Sequence, residues 1–159
     1  MTNWDERFLG LAQHIATFSK DPSTKVGAVI ADSHHRIVSM GYNGFPRGVQ
    51  DTPERLTDRE KKYEMVVHAE INAILFAQCD LSRMTLYTYP LPPCSRCAAL
   101  IINSGLRAVV APPVTQTRWV ESCSLALDMF DEAGVSFTQI GTGAWRAGQR
   151  VETIWPFTM

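Results

Sequence analysis

The sequence predicts an α/β protein: a mixed five-stranded sheet with helices on both faces, in three layers. Two observations carry this. Val26–Ala31 and Ile37–Tyr42 are strand-like runs joined by the polar turn Asp32-Ser33-His34-His35-Arg36, which reads as an antiparallel hairpin. From Ala69 onward, helical and strand-like segments alternate, which calls for parallel strands linked by crossover helices. Combining the two gives a mixed sheet.

Each element has its own signal. Asn3–Ser19 places Trp4, Phe8, Leu11, Ile15 and Phe18 at helical spacing, with Asp5 and Glu6 in the first turn, and reads as an amphipathic helix. His34 and His35 fall in the hairpin turn and are expected in solvent. Pro46–Tyr63 is polar and charged, and reads as a loop with a short helix over Leu56–Tyr63. The alternating half then runs as helix Ala69–Gln78, strand Met84–Tyr89, helix Ser95–Ser104, strand Leu106–Ala111, helix Arg118–Ala133 and strand Val135–Gln139. Gly134 supplies the stop for the long helix. The tail from Gly141 to Met159 holds Trp145, Trp155 and Phe157 without clear periodicity; these could cover the chain's own sheet or a neighbouring subunit, with self-packing as the default reading.

Length and composition narrow the function. A chain of 159 residues with 45% apolar side chains fits one domain, 1–159, with a sizeable core. A net charge of -1 provides no broad basic surface for gripping long nucleic acid, so a small substrate is favoured. Neither a basic-then-apolar leader nor a run of membrane-spanning length is present, which points to a cytoplasmic protein with no membrane partner. Four cysteines would stay reduced in that compartment, a state that suits metal ligation.

The chemistry concentrates in His68-Ala69-Glu70 and Pro93-Cys94-Ser95-Arg96-Cys97. One imidazole and two thiolates, from His68, Cys94 and Cys97, are favoured ligands for zinc, and three protein ligands leave the fourth tetrahedral position open to water. Bound there, the metal would lower the pKa of that water towards neutrality. Glu70 lies two residues beyond His68, so it points elsewhere than the imidazole and can pass protons beside the water without occupying the metal. His68 and Glu70 fall at the start of one helix and the cysteine pair at the start of another, so two positive helix ends would face each other and favour the thiolates. A redox pair or half of a structural zinc knuckle remains an alternative for the Cys-x-x-Cys alone. Cys79 stands eleven residues from His68, about 16 Å along a regular helix, too far to share a metal, and reads with Cys123 as a small buried apolar residue.

With those motifs in view, the chain resembles the deoxycytidylate deaminase family of the cytidine deaminase-like superfamily. The resemblance rests on Thr24-Lys25-Val26-Gly27-Ala28-Val29-Ile30, on Gly41-Tyr42-Asn43-Gly44-Phe45-Pro46-Arg47-Gly48, and on the histidine and cysteine motifs in the same order. It spans about Trp4 to Phe137 and implies the superfamily's fold. It also implies zinc-dependent hydrolysis of dCMP to dUMP and ammonia, feeding thymidylate synthesis, with Glu70 moving protons between water, the ring N3 and the leaving amine. Asn43 matches a sugar-binding asparagine, with a plain turn residue as its alternative. The Ala69 N–H would meet the base carbonyl. Lys25 is a candidate for the 5'-phosphate, with a solvated lysine as its alternative. Gly44, Phe45 and Arg47 could line a second nucleotide site for the effectors dCTP and dTTP, although a Gly-Pro-rich turn also serves chain reversal. The family is often hexameric, so a homo-oligomer is implied. Val49–Val67 contains neither His nor Cys, so one zinc per chain is expected. Competing readings are a sister deaminase acting on dCTP, cytidine or tRNA adenosine, and a non-catalytic zinc-stabilised interaction module.

Overall fold

The computed structural model describes residues 3–141. Helix α1 (Trp4–Ala16) leads into strands β1 (Gly27–Ala31) and β2 (Ile37–Tyr42), and two short helices follow, α2 (Pro53–Thr57) and α3 (Arg59–Met65). The chain then alternates through α4 (Ala69–Ala77), β3 (Thr85–Tyr89), α5 (Ser95–Asn103), β4 (Ala108–Ala111), α6 (Thr117–Ala133) and β5 (Ser136–Gln139). The strands form one sheet in the order β2-β1-β3-β4-β5. β1 pairs antiparallel with both β2 and β3, whereas β3–β4 and β4–β5 are parallel. The expected mixed architecture is therefore present.

Side-chain alternation along the strands separates two cores, since successive residues point to opposite faces. Val29, Ala31, Tyr87 and Val110 pack against Phe8, Leu9, Ala12 and Ile15 of α1. On the other face Ala28, Ile30, Leu86 and Val109 meet Ala69 and Ala73 of α4, Ala98 and Ile101 of α5, and Ala126 and Phe130 of α6. Both faces of β1 are thus covered, and all five of its residues are buried. Small residues allow the closest approaches. A Cβ at Gly41 of β2 would stand 2.4 Å from the Ala69 carbonyl oxygen and 2.5 Å from the Ala73 nitrogen, so α4 lies backbone to backbone on this strand. Two hydrogen bonds fix that contact: Ser39 Oγ donates to the Ala73 carbonyl at 2.7 Å, and Asn72 Nδ2 to the Tyr42 carbonyl at 2.8 Å.

Several local expectations need correction. Asn3–Ser19 is shorter as a helix, ending at Ala16, and Trp4 and Phe18 are exposed rather than core residues. Trp4 stacks instead on His35 at 4.4 Å, so His35 is held by an aromatic neighbour while exposed in its turn. Pro46–Tyr63 contains two capped helices where one was expected. Thr52 and Asp58 each accept a backbone N–H three residues ahead, and the extended backbone of Asp58 breaks the helices apart. Cys79 is exposed, because α4 stops at Ala77 and Gln78 turns left-handed, whereas Cys123 is buried as expected. Gly134 caps α6 in the left-handed conformation at φ 71°. The reading of Trp145, Trp155 and Phe157 lies outside the described residues.

Candidate metal centre and catalytic cavity

Two helix starts converge at the centre of the molecule. His68 is the N-cap residue of α4 and Cys94 that of α5, with Cys97 in the first turn of α5. Neither N-cap side chain is used to cap its helix, which leaves both free to face a ligand. His68 Nδ1 stands 3.6 Å from Cys94 Sγ and 3.2 Å from Cys97 Sγ. A tetrahedral zinc with ordinary Zn–S and Zn–N bonds places its nitrogen and sulfur ligands about 3.5 Å apart, so the spacing fits. All three ligand atoms lie within 4.8 Å of one another, and this is the one such cluster among the described residues. Among the described residues no fourth donor joins them, so the set is that of an open site.

The two sulfurs differ in their hold on a proton. Hydrogen bonding from Cys97, followed by His68, lowers the Cys94 pKa to about 4 and favours its thiolate. Donation to Cys94 and burial push the Cys97 thiol up. The imidazole of His68 is shifted up, first by its hydrogen bond to Cys94 and further by the Glu70 carboxylate, against burial. One dication displacing the Cys97 proton would neutralise both sulfurs. Glu70 is 3% exposed, and its carboxyl is shifted up chiefly by desolvation, which suits a group that both takes and gives protons.

Around the ligands lies a cavity that is open at its mouth. Its walls comprise His68, Ala69, Glu70 and Cys94 on the metal side, and Asp21, Ser23, Thr24, Val26, Asn43, Lys62, Tyr63, Val66, Leu91, Arg118 and Trp119 around them. A second hydrogen-bond layer holds the helix starts: Ser122 Oγ of α6 accepts the Ser95 N–H at 3.1 Å, next to the Cys94 ligand.

Residues 2–112 match the model of the cytidine and deoxycytidylate deaminase zinc-binding region, including the histidine and both cysteines placed together here. The chain belongs to this deaminase family. A deaminase from the luxG 3' region of Aliivibrio fischeri is 45% identical over 141 residues, covering 87% of this chain and 94% of that one. Human deoxycytidylate deaminase is 39% identical over 140 residues, covering 84% of this chain and 78% of the human one. In fold, the chain is similar to the dCMP deaminase of cyanophage S-TIM5 solved with dCMP and dUMP. The TM-score is 0.67 at 23% identity, covering 85% of this chain and 95% of that one. This deaminase is accordingly a zinc-dependent hydrolase of the cytidine deaminase-like fold. None of its described helices is long and apolar enough to cross a membrane.

The structure brings together His68, Ala69, Glu70, Cys94, Cys97 and Asn43, but separates the other expected site residues. Buried Asn43 spends its amide on the neighbouring loop, with Oδ1 accepting the Val26 N–H at 2.8 Å and Nδ2 donating to the Thr24 carbonyl at 2.9 Å. It shapes the cavity wall as a tie between two segments. Lys25 is exposed and outside the cavity lining, although Thr24 and Val26 on either side belong to it. Gly44 and Phe45 line an adjacent cavity with Phe18, Lys20, Tyr42 and Asp51, while Arg47 sits 5.1 Å over the Phe76 ring and lines neither. Sequence reasoning missed Lys62, Tyr63, Arg118 and Trp119. Lys62 carried a faint signal as a lysine in a short apolar-poor helix, but only the folded chain shows it 4% exposed, with Nζ 3.1 Å from Asp21 Oδ1 and 3.0 Å from Ser23 Oγ.

Proposed function

We propose that this deaminase hydrolyses dCMP to dUMP and ammonia, with His68, Cys94 and Cys97 holding one zinc per chain and Glu70 carrying the protons. The observation that bears the weight is the open three-ligand cluster with a buried carboxyl two residues along α4 from its histidine. Zinc held by these three residues would supply Lewis-acid activation of a water molecule. Glu70, its carboxyl shifted up by burial, would take a proton from the attacking water and return protons to N3 and the departing amino group of the ring. Water adds at C4, the C4–N bond breaks, and ammonia leaves, so one water is consumed for each amine lost. The N–H of Ala69, at the first turn of α4, is suited to the base carbonyl, and Asn43 keeps the sugar side of the wall in place.

Support for dCMP rather than another cytosine compound comes from relatives named deoxycytidylate deaminases, at about two-fifths identity across most of the chain. The proposal extends to a cytoplasmic enzyme of pyrimidine nucleotide biosynthesis, acting as a homo-oligomer such as a hexamer. It includes dCTP and dTTP as effectors at the adjacent cavity, which Gly44 and Phe45 help to line. A panel of dCMP, dCTP, cytidine and adenosine substrates tests the reading. Ammonia should be released fastest from dCMP, and a higher kcat/KM for any other member would replace it. Unchanged dCMP saturation curves with and without dCTP would remove the effector proposal.

A further inference from the structure

The first turn of α6 brings two unusual donors into the catalytic cavity. Trp119 lines it with its indole Nε1–H buried and without an acceptor among the described residues. A buried donor left unpaired is costly, so such a group in a cavity wall is a mark of a missing partner. Tyr63 meets the ring from the α3 side, edge-on at 6.4 Å between centroids. Next to it, Arg118 donates from Nη2 to Thr24 Oγ1 at 2.8 Å and from Nε to Gln116 Oε1 at 3.1 Å. Both acceptors are neutral, and no carboxylate among the described residues lies in salt-bridge range of this guanidinium.

The other cation of the cavity differs. Lys62 is already matched by Asp21 at 3.1 Å, so it brings little net charge. Gln116 is the N-cap of α6, but its side chain accepts no backbone N–H of the helix, which leaves the positive end of this seventeen-residue helix on the same side. A planar fork of donors and an indole N–H stand on adjacent residues of one element, the guanidinium 5.5 Å over the indole ring, at the start of the helix, and their common complement is a tetrahedral anion with several acceptor oxygens.

We propose that Arg118 and Trp119 are the specificity-determining residues of this site, binding the 5'-phosphate of the nucleotide and thereby selecting nucleotide over nucleoside. This rests on the deaminase reading above and deepens it. It also moves phosphate recognition from Lys25, beside the first strand, to the start of α6.

The test uses the zinc-loaded enzyme and its Trp119→Phe and Arg118→Gln variants. It measures kcat/KM for dCMP and deoxycytidine, and the dissociation constants of dUMP and deoxyuridine. Phenylalanine keeps an aromatic ring but removes the pyrrole half of the indole with its N–H, so dUMP binding and dCMP kcat/KM should each weaken about tenfold. Loss of the charged fork should weaken both about 100-fold. Binding of deoxyuridine and turnover of deoxycytidine should stay at the wild-type level in both variants. Equal losses for nucleotide and nucleoside would assign these residues to cavity shape and overturn the proposal, as would unchanged dUMP binding. A Lys25→Gln variant that costs dCMP more than Arg118→Gln does would overturn it too. Should the zinc-loaded wild type release no ammonia from either substrate, the deaminase reading fails separately, and the dUMP and deoxyuridine constants still decide the phosphate assignment.

Discussion

Replacing Gly41 with alanine should disable the metal centre from the far side of α4. The new methyl would lie 2.4 Å from the Ala69 carbonyl oxygen, whereas ordinary contact begins at 3.4 Å. Strand and helix must therefore part by about 1 Å, an overpacking that typically costs about 1–3 kcal/mol. No side chain can give way, because both clashing atoms, on Ala69 and Ala73, are backbone. Nor can β2 easily retreat, since Gly41 is paired with Ala28 of the fully buried β1. The displacement falls on α4, whose first turn carries His68 and Glu70. A shift of that size at reacting groups can cost about 100-fold in rate, and disturbed ligand support about 10- to 100-fold in metal affinity. Competition against a chelating dye measures the zinc affinity, and ammonia release per zinc-loaded molecule measures the rate. Gly27→Ala is the comparison. Its methyl would meet the Ala12 oxygen at 2.0 Å and the Ala16 nitrogen at 2.5 Å, so it pushes α1 on the opposite face of the sheet. It should lose stability yet keep near-normal zinc affinity and turnover in the molecules that fold. A Gly41→Ala enzyme with wild-type zinc affinity and rate would refute this reasoning, as would equal zinc loss in both variants.

Other predictions concern the polar groups of the cavity. Glu70→Gln should retain zinc and fold while turnover drops by about two to four orders of magnitude, measured as ammonia release beside metal content. In zinc-free protein the same change should raise the melting temperature at neutral pH. Burial raises the folded pKa of Glu70, so its relative contribution is fully present below about pH 4.3 and is lost as pH rises through the folded value. The gap between variant and wild type should therefore close on acidification, and a gap that widens instead would contradict the sign. Lys62→Met leaves the Asp21 carboxylate buried without its cation, and urea unfolding should show a loss of about 3–5 kcal/mol. A loss below 1 kcal/mol, the range of exposed ion pairs, would mean that water reaches this pair.

The legible parts of this molecule were those written in local chemistry. His68, Glu70, Cys94 and Cys97 announced themselves by spacing, and their positions at two helix starts followed from the apolar runs behind them. Sheet composition was legible for the same reason, since β-rich runs and helical runs alternate with little ambiguity. Helix ends were less so. Thr52 and Asp58 were visible as capping residue types, but the break between two helices rests on the extended backbone that Asp58 adopts. Cys79 illustrates a further limit: its exposure depends on a left-handed turn at Gln78, a conformation with no strong signal in glutamine. Arg118 and Trp119 mark the largest gap. They stand ninety-four residues or more from Thr24 in sequence, and only the crossover of α6 beside α5 carries them to the cavity. Long-range placement of that kind leaves no pattern in a single chain.

X-ray absorption at the zinc edge of the purified enzyme gives the most direct view of the coordination. Two sulfur ligands at about 2.3 Å and two nitrogen or oxygen ligands at about 2.0 Å are expected, with one sulfur lost in Cys97→Ser. A spectrum with four sulfurs, or protein that binds no stoichiometric zinc at all, would contradict an open site built from His68, Cys94 and Cys97.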